Sequence, residues 1–173
     1  EDGGSTTFSV IANGTAPFVY QWQYLNGSTW ENVTGGSPAG AVYTGVTTAT
    51  LGVSDITSSG SYLYRCQISN CSSTGNVTSD PATLTVNALP GKPSVITSGS
   101  TTFCGGGSVT LTSGAGTTYL WSNGATTQSI NVTTSGSYTV RITNSAGCLS
   151  PASDPVVVTV NALPPAPTIT ASG

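Results

Sequence analysis

The sequence predicts an all-β chain built as two β-sandwiches in tandem, followed by the first strand of a third unit. Three observations carry this. No segment holds helical periodicity over three turns. Apolar residues instead alternate with period two between clusters of Gly, Ser, Asn and Pro, the pattern of half-buried strands. The stretch SDPATLTVNALPGKPSVITSG also returns as SDPVVVTVNALPPAPTITASG at a constant offset, Asp80 to Asp154 and Pro90 to Pro164. An internal repeat of that length marks an array of similar units.

The strands follow in order. FSVIA (Phe8–Ala12) alternates Phe8, Val10 and Ala12, and FVYQWQY (Phe18–Tyr24) puts Phe18, Tyr20, Trp22 and Tyr24 on one face. ATLGV (Ala49–Val53) offers Leu51 and Val53, and SYLYRCQI (Ser61–Ile68) aligns Tyr62, Tyr64, Cys66 and Ile68. ATLTV (Ala82–Val86) closes the unit. The second half repeats the plan with shorter loops: PSVITSG, SVTLTS, TYLWS, SINV, SYTVRIT and PVVVTV. Asn123–Gly124 is a tight-turn signal, because both residues accept positive φ. Pro81 and Pro155 belong at strand entry, since proline donates no ladder hydrogen bond. Trp22 and Tyr62 are the expected core of one unit, Trp121 and Tyr138 of the other.

The expected boundaries are 1–88, 89–162 and 163–173, the last being the first strand of a truncated third repeat. The first unit is expected to lack its own first strand, because no counterpart of PSVITSG precedes FSVIA. The connectors NALPGKP and NALPPAP are short and Pro-rich, so they should be semi-rigid. Leu89 and Leu163 are their largest apolar residues and are expected to pack there.

Composition narrows the chemistry. The 173 residues carry three basic and six acidic side chains, for a net charge of −3. That excludes the basic patches that nucleic acid or an anionic membrane requires. No apolar run approaches the ~20 residues needed to span a bilayer. There is no His, so Ser-His-Asp and Cys-His nucleophiles are excluded. Glycoside hydrolysis needs two facing carboxyls, and Glu31 with Asp55 is the only conceivable pair. No DxD or DxN run offers calcium its several carboxylates. No catalytic residue, metal site or cofactor is therefore expected.

The four cysteines are Cys66, Cys71, Cys104 and Cys148. Without a CxxC pair or a His they do not form a zinc pattern. Their even number in a polar, loop-rich chain points to disulfides and an oxidising compartment. Three pairings exist. Separately folding units favour the local ones, Cys66 with Cys71 and Cys104 with Cys148; free thiols are the alternative. Binding has one candidate, an aromatic platform of Trp30 with Tyr24 and Tyr43 stacking on sugar rings. The plainer reading of Trp30 is that it covers the sandwich flank.

GSYLYRC resembles the immunoglobulin pattern of Gly, one residue, Tyr, one residue, Cys. Gly60 and Tyr62 fit its tyrosine corner, as do Gly136 and Tyr138, and Trp22 and Trp121 stand where such a domain buries its Trp. Neither unit has a Cys in the FSV or VTL strand, so the usual inter-sheet disulfide is missing. YQWQ…GSTWENV…YTGVTTATL…YRC and FCGGGSVTLTS…YLWSNGATTQSI…SGSYTVRITNSAGC are closely similar to immunoglobulin-like repeats of large Bacteroidota surface proteins. The resemblance covers Gly4–Val86 and Phe103–Val160. It implies tandem immunoglobulin-like sandwiches, type IX secretion, and extracellular display on the bacterial surface as a non-catalytic adhesin stalk, in some relatives serving gliding motility. Its partners would be neighbouring repeats and a polysaccharide or abiotic surface. The alternative it implies is a carbohydrate-binding accessory module of a secreted polysaccharide-degrading enzyme.

Overall fold

The computed structural model describes residues 4–35, 38, 40–70 and 75–170. It divides into two compact units, Glu1–Ala88 and Leu89–Gly173. Each is all-β and closes two layers of strands over its own core, and the two cores share no residue. Among the described residues no helix is long and apolar enough to cross a membrane.

In the first unit, β1 (Gly4–Ser9), β5 (Thr50–Ile56) and β4 (Val42–Thr44) form one antiparallel sheet in the order β1-β5-β4. The other is β3 (Thr29–Asn32), β2 (Phe18–Asn26) and β6 (Gly60–Asn70), with β7 (Val77–Thr78) and β8 (Ala82–Val86) both pairing along β6. Alternation turns Leu51 and Val53 inward from β5, Trp22 from β2, and Tyr64 and Cys66 from β6. Ile56 joins them three residues after Val53, because β5 holds an extra residue against β1. Asp55 absorbs the bulge at φ 56°, a left-handed conformation that Asp tolerates better than most residues.

In the second unit, β9 (Val95–Thr97), β11 (Val109–Ser113) and β13 (Ser129–Val132) make the first layer, with β11 in the middle. The second layer holds β12 (Thr118–Trp121), β14 (Gly136–Tyr138), β15 (Val140–Thr143), β16 (Val156–Asn161) and β10 (Thr102–Cys104). There β12 pairs with β15, β14 with β16, and β10 runs parallel to β16. The expected single strand SYTVRIT is interrupted at Thr139, whose N–H is held by Ser122 Oγ at 3.2 Å. Trp121, Leu111, Val140 and Val158 are the centre of this core.

The three central pairings recur: β1–β5 matches β11–β13, β2–β6 matches β12–β15, and β6–β8 matches β14–β16. Short strands β3, β4, β7 and β10 were not expected from the sequence. Leu89 and Leu163 are 57% and 64% exposed, so neither is buried as expected. Of residues 163–173, expected to open a third unit, the described ones, 163–170, take up no strand, and Ile169 is 98% exposed.

Candidate functional site

The aromatic platform expected at Tyr24, Trp30 and Tyr43 is not assembled. In the β2–β3 ladder Trp30 stands opposite Leu25, and Tyr24 opposite Glu31. Cross-strand partners share a face and neighbours along a strand do not. Trp30 is therefore on the outer face of the sheet, while Tyr24 shares the inward face of Trp22. Tyr43 also lies inside, its hydroxyl 3.1 Å from that of fully buried Tyr64. Tyr24 and Tyr43 both pack against the core.

The outer face instead carries a closed chain of contacts across three strands. Arg65 of β6 lays its guanidinium over the Trp30 ring, 4.2 Å from the centroid. Its Nε donates to Gln23 Oε1 at 2.9 Å, and Gln23 Nε2 donates to Asn32 Oδ1 at 3.1 Å. A cation over an indole at an exposed site contributes about 0.5–1 kcal/mol. The arrangement ties β3, β2 and β6 together laterally. It also covers one face of the ring a sugar would need. The cue was in the sequence: Arg65 interrupts SYLYRCQI at an outward position, and Gln23 alternates out of FVYQWQY.

The candidate carboxylate pair is not a pair. Glu31 accepts from Tyr24 Oη at 2.9 Å and from Asn26 Nδ2 at 3.0 Å at the edge of one sheet. Asp55 lies in the other sheet and accepts from Ser54 Oγ at 3.3 Å. Donation to the Glu31 carboxylate holds the Tyr24 phenol above its usual range. Among the described residues, no three of His, Cys, Asp and Glu gather as metal ligands would.

The cysteine bridges are corrected. Cys66, Cys104 and Cys148 are free thiols; Cys71 lies outside the described residues. Register explains why Cys104 and Cys148 do not meet. Cys104 pairs with Asn161 at the end of β16, whose Val158 faces Gly136. Cys148 lies past Thr143, where its carbonyl accepts from Asn144 N. From Gly136 to Thr143 the chain advances about 23 Å, whereas a disulfide needs Cα atoms within about 7 Å. Cys66 is sealed in the core, and that burial raises its thiol pKa above the ordinary 9.0.

What the two units do share is a set of structural devices. The Trp22 indole N–H donates to Thr48 O at 2.9 Å and the Trp121 indole to Thr127 O at 2.8 Å. Thr48 Oγ1 and Thr127 Oγ1 each donate onward two residues, to Thr50 O and Ser129 O. Tyr62 Oη donates to Ser58 O and Tyr138 Oη to Thr134 O, both at 3.1 Å. Both rings lie over their glycines: a Cβ on Gly60 would sit 3.1 Å from Tyr62 Oη, and one on Gly136 3.3 Å from the Tyr138 ring. The repeated Ser-Asp-Pro also acts alike. Ser79 Oγ accepts from Cys66 N and donates to Asp80 O, and Ser153 Oγ accepts from Val140 N and donates to Asp154 O.

One further hollow, of about 380 Å³, lies over Gly52 on the first sheet, ringed by Ser5, Thr7, Thr44 and Ser54. By register its counterpart in the second unit is Asn131. No protein-family model matches the chain, and no curated protein matches it in sequence.

Proposed function

We propose that the chain is a non-catalytic segment of a long secreted adhesin, two immunoglobulin-like repeats whose work is mechanical reach at a bacterial surface. The observation that carries this reading is the sharing of devices just described. Both units preserve the buried indole, the tyrosine corner and the Ser-Asp-Pro entry to the last strand. Outward residues differ: Arg65 and Trp30 on one unit have no counterpart on the other. Selection for a fold repeated along a chain keeps inward groups and lets outward ones vary, whereas a binding module would keep its outward groups. Immunoglobulin-like topology is supported by the tyrosine corners, by indoles on β2 and β12, which pair with β6 and with β15, the continuation of the corner strand β14, and by consecutive strands switching layers. The resemblance to Bacteroidota surface repeats supplies the expectation of type IX secretion and, in that setting, of gliding motility. Weak contacts repeated along such an array add through avidity.

Immunolabelling of intact source cells with antibodies to this chain tests the display. Surface label without permeabilisation is the expected result; label only after lysis refutes it. The rival reading, a carbohydrate-binding module, is tested on a glycan array with the wild-type chain and Trp30→Ala. No specific signal is expected, and a specific signal abolished by Trp30→Ala would replace the stalk reading.

A further inference from the structure

The chain contains three Asn-Gly steps, Asn13–Gly14, Asn26–Gly27 and Asn123–Gly124. Each brings a side-chain amide next to a backbone N–H that no Cβ shields. In that arrangement the backbone nitrogen can attack the amide carbon. In an unfolded chain the three are nearly equivalent, but the fold treats them differently.

Two of them are locked. In the hairpin after β12, Gly124 N donates to Trp121 O at 2.9 Å, and Asn123 Oδ1 accepts from Ala125 N at 3.2 Å. The attacking nitrogen and the amide it would attack are both engaged. Asn26 is the last residue of β2 and pairs with Thr29 in the ladder. Its carbonyl accepts from Thr29 Oγ1 at 3.0 Å, and its Nδ2 donates to Glu31 Oε1 at 3.0 Å. Reaction at either place first requires the hairpin to open locally.

Asn13–Gly14 is held by nothing comparable. Among the described residues no hydrogen bond reaches either residue, and residues 13–17 are all exposed. The fixed points of the loop lie on either side of the pair: Val10 N donates to Ala49 O, and Thr15 O accepts from Asn70 Nδ2 at 3.2 Å. Register equates Val10 with Ser113 and Trp22 with Trp121, and the span from Val10 to Trp22 is the longer by four residues. The extra length carries Asn13 past the end of β1. In the second unit the bonds from the β9 segment end at Gly114, the counterpart of Ile11, so a strand lying beside β1 would stop short of this tip. Gly14 takes φ 133°, a conformation that keeps glycine at this place.

We propose that Asn13 is a site of spontaneous deamidation, a one-way modification that the fold suppresses at Asn26 and Asn123. The Gly14 nitrogen bonds to Asn13 Cγ and the Cγ–Nδ2 bond breaks. Nδ2 leaves as ammonia, carrying the proton that Gly14 N loses, and a cyclic imide remains. Water then opens the imide. Breaking its Cγ–N bond gives an aspartate; breaking its backbone C–N bond gives an isoaspartate, with the chain rerouted through the side chain. Either product makes the net charge of −3 one unit more negative. This holds whether or not the protein serves adhesion.

Peptide mapping by mass spectrometry tests it, on the full chain incubated in mildly alkaline buffer with and without unfolding urea. In the native chain Asn13 should convert from amide to carboxyl at least about tenfold faster than Asn26 or Asn123, because freeing a bonded group and opening a hairpin both raise the barrier. In urea the three rates should converge. Asn13→Gln should abolish the signal at this position, since its longer side chain closes a larger ring less readily, and its exposed place leaves both units folded. A native rate at Asn13 no faster than at the other two, or a difference that survives unfolding, overturns the proposal.

Discussion

At the scale of single residues, two serines illustrate how the repeated sequence sets repeated structure. Ser153 is 6% exposed and its hydroxyl satisfies the buried N–H of Val140 while donating to Asp154 O. Ser153→Ala leaves that N–H without its partner, which costs about 1–3 kcal/mol. Chemical denaturation should show the loss in the second unit alone, and Ser79→Ala should do the same to the first. The thiols give an independent check. Alkylation of the native chain should label exposed Cys104 and spare buried Cys66. Burial raises the Cys66 thiol and the Tyr64 phenol above their ordinary 9.0 and 10.0. The folded unit therefore keeps protons that the unfolded chain releases at alkaline pH. Their stabilising contribution is complete below pH 9.0 and is lost as pH rises through and beyond 10.0. Denaturation midpoints of the first unit should fall across that window; midpoints that rise would contradict the placement of both groups. The two cores were legible in the sequence because Trp22, Trp121 and Tyr138 sit on clean alternations. The cysteine pairing was not, because whether two thiols meet depends on which end of a strand each occupies. That follows from register, here from Asn161 beside Cys104, and not from spacing.

At the scale of elements, the longest strands announced themselves and four short ones did not. β2, β6 and β11 carry enough alternating residues to show their period. β3, β4, β7 and β10 have between two and four residues, and none was read as a strand. Without β3 there was no ladder to reveal that Trp30 and Tyr24 face opposite ways, and the sugar platform rested on their being neighbours. The bulge in β5 misled differently: counting by twos stops at Val53, whereas Asp55 shifts the phase and brings in Ile56. The outer face of the first unit has its own prediction. Arg65 holds Trp30 and Gln23 together across three strands. Arg65→Ala should lower stability by about 0.5–1.5 kcal/mol and shift Trp30 fluorescence, read in a Trp22→Phe, Trp121→Phe background. An unchanged spectrum would mean that the guanidinium does not cover the ring in solution.

At the scale of the whole molecule, the account depends on two units that fold by themselves. Their cores have no residue in common, and each closes its own layers. The boundary was visible in the sequence as the repeat of TVNALP. The most direct test is amide hydrogen exchange on the full chain carrying Trp121→Ala. Loss of a buried Trp costs about 3–5 kcal/mol, a large part of the 5–15 kcal/mol that holds a typical domain. Protection should collapse in β11, β12, β15 and β16 and stay at wild-type level in β2 and β6. Loss of protection in β2 and β6 as well would show one cooperative body and contradict the account.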